Sequence, residues 1–174
     1  SGSLRQAITD ANNNAGADTI NFNISGTGVH TITLSNLLPD ISGVVTIDGT
    51  TESDYAGTPL IVLNGNSTVS DGLRLYAGSG GSTIRGLVIQ NFTQDGIDIA
   101  LSNGNTIVLN RIGTNQAGTA AAYNPQGINV WSSSGTIIGG ASQGNLISGN
   151  GIGINIGGSG TTGTIIRGNL IGTN

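Results

Sequence analysis

Three aspartates carry the densest chemistry in the sequence: Asp71 in "DGLRL", and Asp95 and Asp98 in "DGIDI". Asp71 and Asp95 hold the same place in two copies of one pattern, x-Gly-aliphatic-x-aliphatic. If the copies stack as neighbouring strands, their carboxylates stand roughly 5 Å apart. A pair at that separation suits a retaining glycosidase, or Ca²⁺ with further oxygen ligands. Ordinary turn chemistry explains the same residues, because Asp before Gly is a common turn pair. Asp98 falls at the repeat position of Arg74, so a cross-coil ion pair accounts for it. No basic residue is placed to abstract a proton beside a uronate. No catalytic residue and no cofactor is therefore expected, and Asp71 and Asp95 stand only as Ca²⁺ candidates.

The remaining reactive side chains are sparse. His30 in "GVHTITL" is the single histidine, so it lacks a second imidazole for a metal site and reads as a strand-end residue. No serine stands in a Gly-x-Ser-x-Gly elbow. The glycine-rich run from Gly144 to Gly160 does not match a phosphate loop, because its spacing is out of register and no helix pattern follows. Tyr55, Tyr123 and Trp131 are the aromatics expected to reach solvent, where sugar or protein could stack on them.

Elements that could position these residues follow from composition and repetition. The 174 residues include 31 Gly, no Cys and no Met, with 8 % charged and 3 % aromatic residues and a net charge of −4. Five Lys and Arg make no electrostatic footprint for nucleic acid. No apolar run approaches the ~20 residues that span a bilayer. Abundant Ile, Val and Thr argue for β structure rather than disorder. The pattern recurs as "DGLRL" at Asp71, "DGIDI" at Asp95, "QGINV" at Gln126 and "NGIGI" at Asn150. Thr-Ile pairs and Asn-x-Ile-x-x-Asn segments cycle between these copies in constant order. Short strands repeating about every two dozen residues describe a solenoid of stacked parallel coils.

Period-two alternation assigns an inward ladder of Leu73, Leu75, Ile97, Ile99, Ile128, Val130, Ile152 and Ile154. Arg74, Asp98, Asn129 and Gly153 then face outward. The longer spacing before Gln126 is an excursion, "TNQAGTAAAYNP", at one corner. Asn110, Asn145 and Asn169 recur at another corner and read as an Asn ladder joining coil to coil. Residues 1–14 differ in kind: Leu4, Ala7, Ile8 and Ala11 recur at helical spacing, and Ser3 precedes Gln6 as in a capping box. This helix caps the first coil, with Arg5 expected to pair with Asp18 or Asp48. Residues 19–66 form less regular first coils, and 71–174 the regular repeats of the same single domain. Asn174 falls in mid-pattern, so the last coil is expected to be continued by the same chain or covered by another molecule.

The stretch "GSLRQAITDANNNAGADTINF" resembles the N-terminal motif of bacterial surface proteins named for Cys-Ser-Leu-Arg-Glu-Ala, which precedes right-handed parallel β-helix repeats. "LPDISGVVTIDGT", "RIGTNQAGTAA" and "NLISGNGIGI" are similar to the repeats themselves. Gly2 stands where that family has Cys, and Gln6 where it has Glu, so a role tied to the cysteine does not carry over. The resemblance implies a secreted or cell-surface bacterial protein of the pectate-lyase-like superfamily, defined by its scaffold.

Together these readings give an all-β chain: a right-handed, single-stranded parallel β-helix with a short N-terminal capping α-helix. The right hand follows from the resemblance and from the usual crossover of parallel strands. The expected function is a non-enzymatic structural or adhesive module that assembles end to end through open coil edges. The alternative is a β-helix that binds or degrades polysaccharide, as a lyase or glycoside hydrolase. Expected partners are further coils of its own kind and cell-surface glycans, with no nucleic acid.

Overall fold

Six coils stack along one axis in the computed structural model, which describes residues 2–172. The expectations placed on Asn174 lie outside the described residues. Each coil contributes one strand to each of two six-stranded sheets, four coils add a strand to a third, and every pairing between named strands is parallel. The first sheet stacks β1 (Ala17–Asn21), β3 (Val44–Asp48), β6 (Thr83–Arg85), β9 (Thr106–Val108), β12 (Ile137–Ile138) and β15 (Ile165–Ile166). The second stacks β2 (His30–Thr33), β4 (Ile61–Asn64), β7 (Leu87–Gln90), β10 (Arg111–Ile112), β13 (Leu146–Ile147) and β16 (Leu170–Ile171). The third holds β5 (Leu73–Leu75), β8 (Asp95–Ala100), β11 (Gln126–Trp131) and β14 (Ile152–Gly157), and Ile41 adds a bridge to Leu75. His30 opens β2, as its strand-end reading requires.

Such short strands are stable only because their side chains stack in columns from coil to coil. In the first sheet Ile20, Ile47, Ile84, Ile107, Ile138 and Ile166 lie in register. Ile32, Leu63, Ile89, Ile112, Ile147 and Ile171 form the matching column of the second. Each fully buried isoleucine contributes about 1.5–3 kcal/mol of transfer free energy.

The third sheet corrects the inward ladder. Leu73, Ile97, Ile128 and Ile154 align, as do Leu75, Ile99, Val130 and Ile156. Ile152 pairs with Gln126 instead, and is half exposed. The last copy of the repeat is therefore "IGINI", two residues beyond "NGIGI", and its outward residue is Asn155 rather than Gly153. Both strings satisfy x-Gly-aliphatic-x-aliphatic; only "IGINI" puts two isoleucines on the core columns.

The corners are held by buried amides. Asn110 and Asn145 each accept a backbone N–H from the preceding coil on Oδ1, from Leu87 and Asn110, both at 3.0 Å. Asn169 accepts the Asn145 N–H at 2.9 Å, so the expected Asn ladder is present. A second ladder, missed in the sequence, runs at another corner: Asn124 accepts the Phe92 N–H at 2.9 Å and donates to Asn150 Oδ1 at 3.0 Å. At the first of these corners Gly144, next to Asn145, shows how tightly the coils approach, since a Cβ on it would run into the Gly168 carbonyl.

Helix α1 (Leu4–Asn13) covers the first coil with Leu4, Ile8 and Ala11 buried, and Ala7 packs at the edge of the core. Ser3 Oγ accepts the Gln6 N–H at 3.1 Å. Asn12 Oδ1 receives the Ser42 N–H at 2.9 Å, and its amide donates to the Asp40 carbonyl at 2.7 Å. Arg5 does not pair with Asp18 or Asp48. It donates to the Leu37 and Asn36 carbonyls at 2.8 and 2.9 Å, because the chain leaving β2 passes beneath it. Asp48 is held by Arg85 at 2.6 Å.

Asn145→Ala removes an acceptor and leaves the buried backbone N–H of Asn110 without a partner, along with one of its two side-chain N–H groups, the other staying on the Ile84 carbonyl. Urea denaturation is expected to show a loss of about 2–4 kcal/mol, with no comparable loss on Asn66→Ala, whose side chain is exposed.

Candidate functional site

The outer face of the third sheet gathers the chemistry. Because Gly72, Gly96 and Gly127 turn toward the core, where a Cβ would meet Ile89, Ile112 and Ile147 respectively, the residue before each glycine and the second residue after it point outward. The register forms three outward rows running along the solenoid. The first holds Asp95, Gln126 and Ile152; the second Arg74, Asp98, Asn129 and Asn155; the third Ala100, Trp131 and Gly157. Tyr76, one residue past β5, stands beside Ala100 at the end of the third row.

Asp71 and Asp95 come together through the backbone rather than as two free carboxylates. Asp71 Oδ1 accepts the Asp95 N–H at 3.1 Å, and its Oδ2 accepts the Ser70 hydroxyl at 2.8 Å. Among the described residues no group of three or more His, Cys, Asp or Glu converges to hold a metal. Arg74 and Asp98 are register partners, but the expected ion pair between them does not form. Arg74 sits 3.3 Å from Asp40 and 4.6 Å above the Tyr76 ring. Asp98 instead accepts the Tyr76 hydroxyl at 2.8 Å and the Asn129 amide at 2.9 Å. Asp40 and Tyr76 escaped the sequence reading. Tyr76 continues the alternation of "DGLRLY", whereas Asp40 belongs to the irregular first coil and carries no repeat signal.

Asp95 is the chemically unusual group. Its residue is 7 % exposed, and Oδ1 is buried with no hydrogen-bond partner. Burial, then the charges of Asp98 and Asp71, push its carboxyl up to about 7, partly offset by a hydrogen bond with Asn129. A carboxyl that holds its proton near neutrality can act as a general acid.

The aromatic candidates do not converge. Tyr55 lies near Arg85, Asp48 and Arg111, away from the third sheet, and burial pushes its hydroxyl up. Tyr123 is exposed at the corner leading into β11, its hydroxyl close to Gly151. Trp131 ends the same strand with half of its surface exposed. The excursion before β11 folds on itself through a bridge between Thr114 and Ala121, and Arg111 donates to its Gln116 carbonyl.

Searches of protein-family models, of curated proteins and of solved structures return no match to this chain.

The pH dependence of stability tests the Asp95 environment. A carboxyl raised in the folded state stabilises fully below its unfolded value of 3.8, and that contribution is lost as pH rises through about 7. The unfolding free energy is expected to fall by a few kcal/mol between about pH 4 and pH 8, and Asp95→Asn to flatten this slope. Asp48 acts in the other direction: despite burial, Arg85 and Thr50 hold it below its ordinary value, so its contribution is lost only in acid.

Proposed function

We propose that this chain is a non-enzymatic structural and adhesive module of a secreted or cell-surface bacterial protein. The observation that carries this reading is how its buried polar side chains are spent. Asn105, Asn110, Asn124 and Asn145 each accept a backbone N–H from the preceding coil, and the first carboxylate candidate, Asp71, accepts one from the following coil. Groups engaged in this way hold coils together and are not free for turnover. The resemblance of residues 2–22 to a surface-protein motif supports the location.

End-to-end assembly belongs to the same reading. Among the described residues β14, β15 and β16 pair on one side only, and Ile156, Ile166 and Ile171 are partly exposed at the last coil. A further coil supplied by the same chain or by a second copy fits that edge, because it extends three aliphatic columns already in register. Light scattering of the 174-residue chain separates the two sources. Mass that grows with concentration assigns the edge to a second copy, and a strict monomer removes that source.

The second reading, a polysaccharide lyase or hydrolase, is favoured by one observation: the proton-holding Asp95 beside Asp98 and Asp71. Incubation with pectin, alginate and neutral glycans, with and without Ca²⁺, decides between them. The scaffold reading expects no released reducing ends or unsaturated products. Turnover that disappears in Asp95→Asn would replace it.

A further inference from the structure

Trp131 is the single tryptophan of the chain, and it sits in the row of smallest side chains on the outer face of the third sheet. Its register neighbours are Ala100 on one coil and Gly157 on the next. The indole lies down over the following coil: a Cβ on Gly157 would come within 2.6 Å of its six-membered ring, and one on Gly158 within 3.0 Å of Nε1. One face of the ring is therefore seated on backbone, and the residue is 50 % exposed. Neither Ala100 nor Gly157 rises beside it. The result is a flat apolar shelf whose orientation is set before anything binds, which lowers the ordering cost of binding.

A polar row runs alongside, two residues back along each strand. Asn155 donates to Asn129 Oδ1 at 3.0 Å, and Asn129 donates to Asp98 Oδ1 at 2.9 Å. A primary amide has two N–H donors and a carbonyl oxygen. Asn155 uses one donor on Asn129, which leaves a second N–H and its oxygen on the same strand as Gly157. An aromatic face next to outward amides recognises molecules with an apolar C–H face and a hydroxyl rim. Charge narrows the class. The same face carries Asp40, Asp71 and Asp98 against Arg74 alone, and the whole chain has a net charge of −4. Polyanions are repelled from it.

We propose that Trp131, with Asn155 and Asn129 beside it, forms a binding platform for a neutral glycan of flat, equatorially linked sugars laid along the solenoid axis. This deepens the adhesive part of the proposed function and rests on it for the ligand being held rather than cleaved.

Because the chain has one tryptophan, its fluorescence reports this platform directly. Titration with cellohexaose or chitohexaose is expected to shift or quench the emission saturably, while polygalacturonate leaves it unchanged. In pull-downs on insoluble cellulose and chitin, Trp131→Ala is expected to bind about tenfold less. Trp131→Phe should recover part of the binding, and Asn155→Ala should weaken it with the indole intact. Circular dichroism and thermal melting confirm that each variant folds. Unchanged emission with both neutral oligosaccharides would overturn the proposal. So would equal retention of the Trp131→Ala protein, or a polygalacturonate response as strong as the neutral ones. Reducing ends released in the same mixtures would overturn the non-enzymatic reading while leaving the platform standing.

Discussion

Each coil bends three times, and at a bend the backbone leaves its sheet with an N–H that no neighbouring strand is placed to accept. Burying such a group without a partner costs about 1–3 kcal/mol. The chain answers with side-chain amides from the coil that follows. Leu87, Phe92 and Ser82 hand their N–H groups to Asn110, Asn124 and Asn105, and Asn110 and Asn145 pass the same bond along. These bonds also set the register. A one-residue slip of any coil would strand buried amides and turn the aliphatic columns outward together.

The rest of the architecture follows from that arrangement. Columns of isoleucine need no aromatic filler, which is why a chain with 3 % aromatic residues can pack a continuous core. The interior is filled by aliphatic side chains, the two phenylalanines Phe22 and Phe92, and polar corner residues, so charge is displaced to the outer faces and stays scarce. On the third sheet it collects as Asp95, Asp98, Asp71 and Asp40 around Arg74, and the crowding of like charge and burial together keep Asp95 protonated near neutrality. On that face Trp131 lies flat because the next coil offers glycine beneath it. Function on such a scaffold belongs to what the outward rows display, since the inward and corner residues are occupied with holding the stack.

Much of this was legible in the sequence. "DGLRL", "DGIDI" and "QGINV" share one offset, so Leu73, Ile97 and Ile128 could be placed in one column without coordinates. The fourth copy is ambiguous in sequence because Gly151 and Gly153 both open x-Gly-aliphatic-x-aliphatic, so the pattern fits at two positions. The corner would have resolved it: Asn124 stands two residues before Gln126 and Asn150 two before Ile152, and these asparagines are bonded to each other. Side-chain partners were less legible than register. Arg74 and Asp98 do face each other across coils, yet Tyr76 takes Asp98 and Asp40 takes Arg74, since reach depends on side-chain length and on a first coil with little repetition. Arg5 likewise found carbonyls of a segment whose path no pattern announces. Trp131 could be singled out as exposed, but its flat seat requires knowing that Gly157 lies across the coil.

Native-state hydrogen exchange tests the central claim, that coil-to-coil amide ladders hold the stack. The backbone N–H groups of Leu87, Phe92, Asn110 and Asn145, bonded to side chains rather than to strands, should exchange only through global unfolding, with free energies equal to those of the β7 and β8 amides. Exchange of these four groups that is fast and insensitive to denaturant, while the strand amides remain protected, would contradict it.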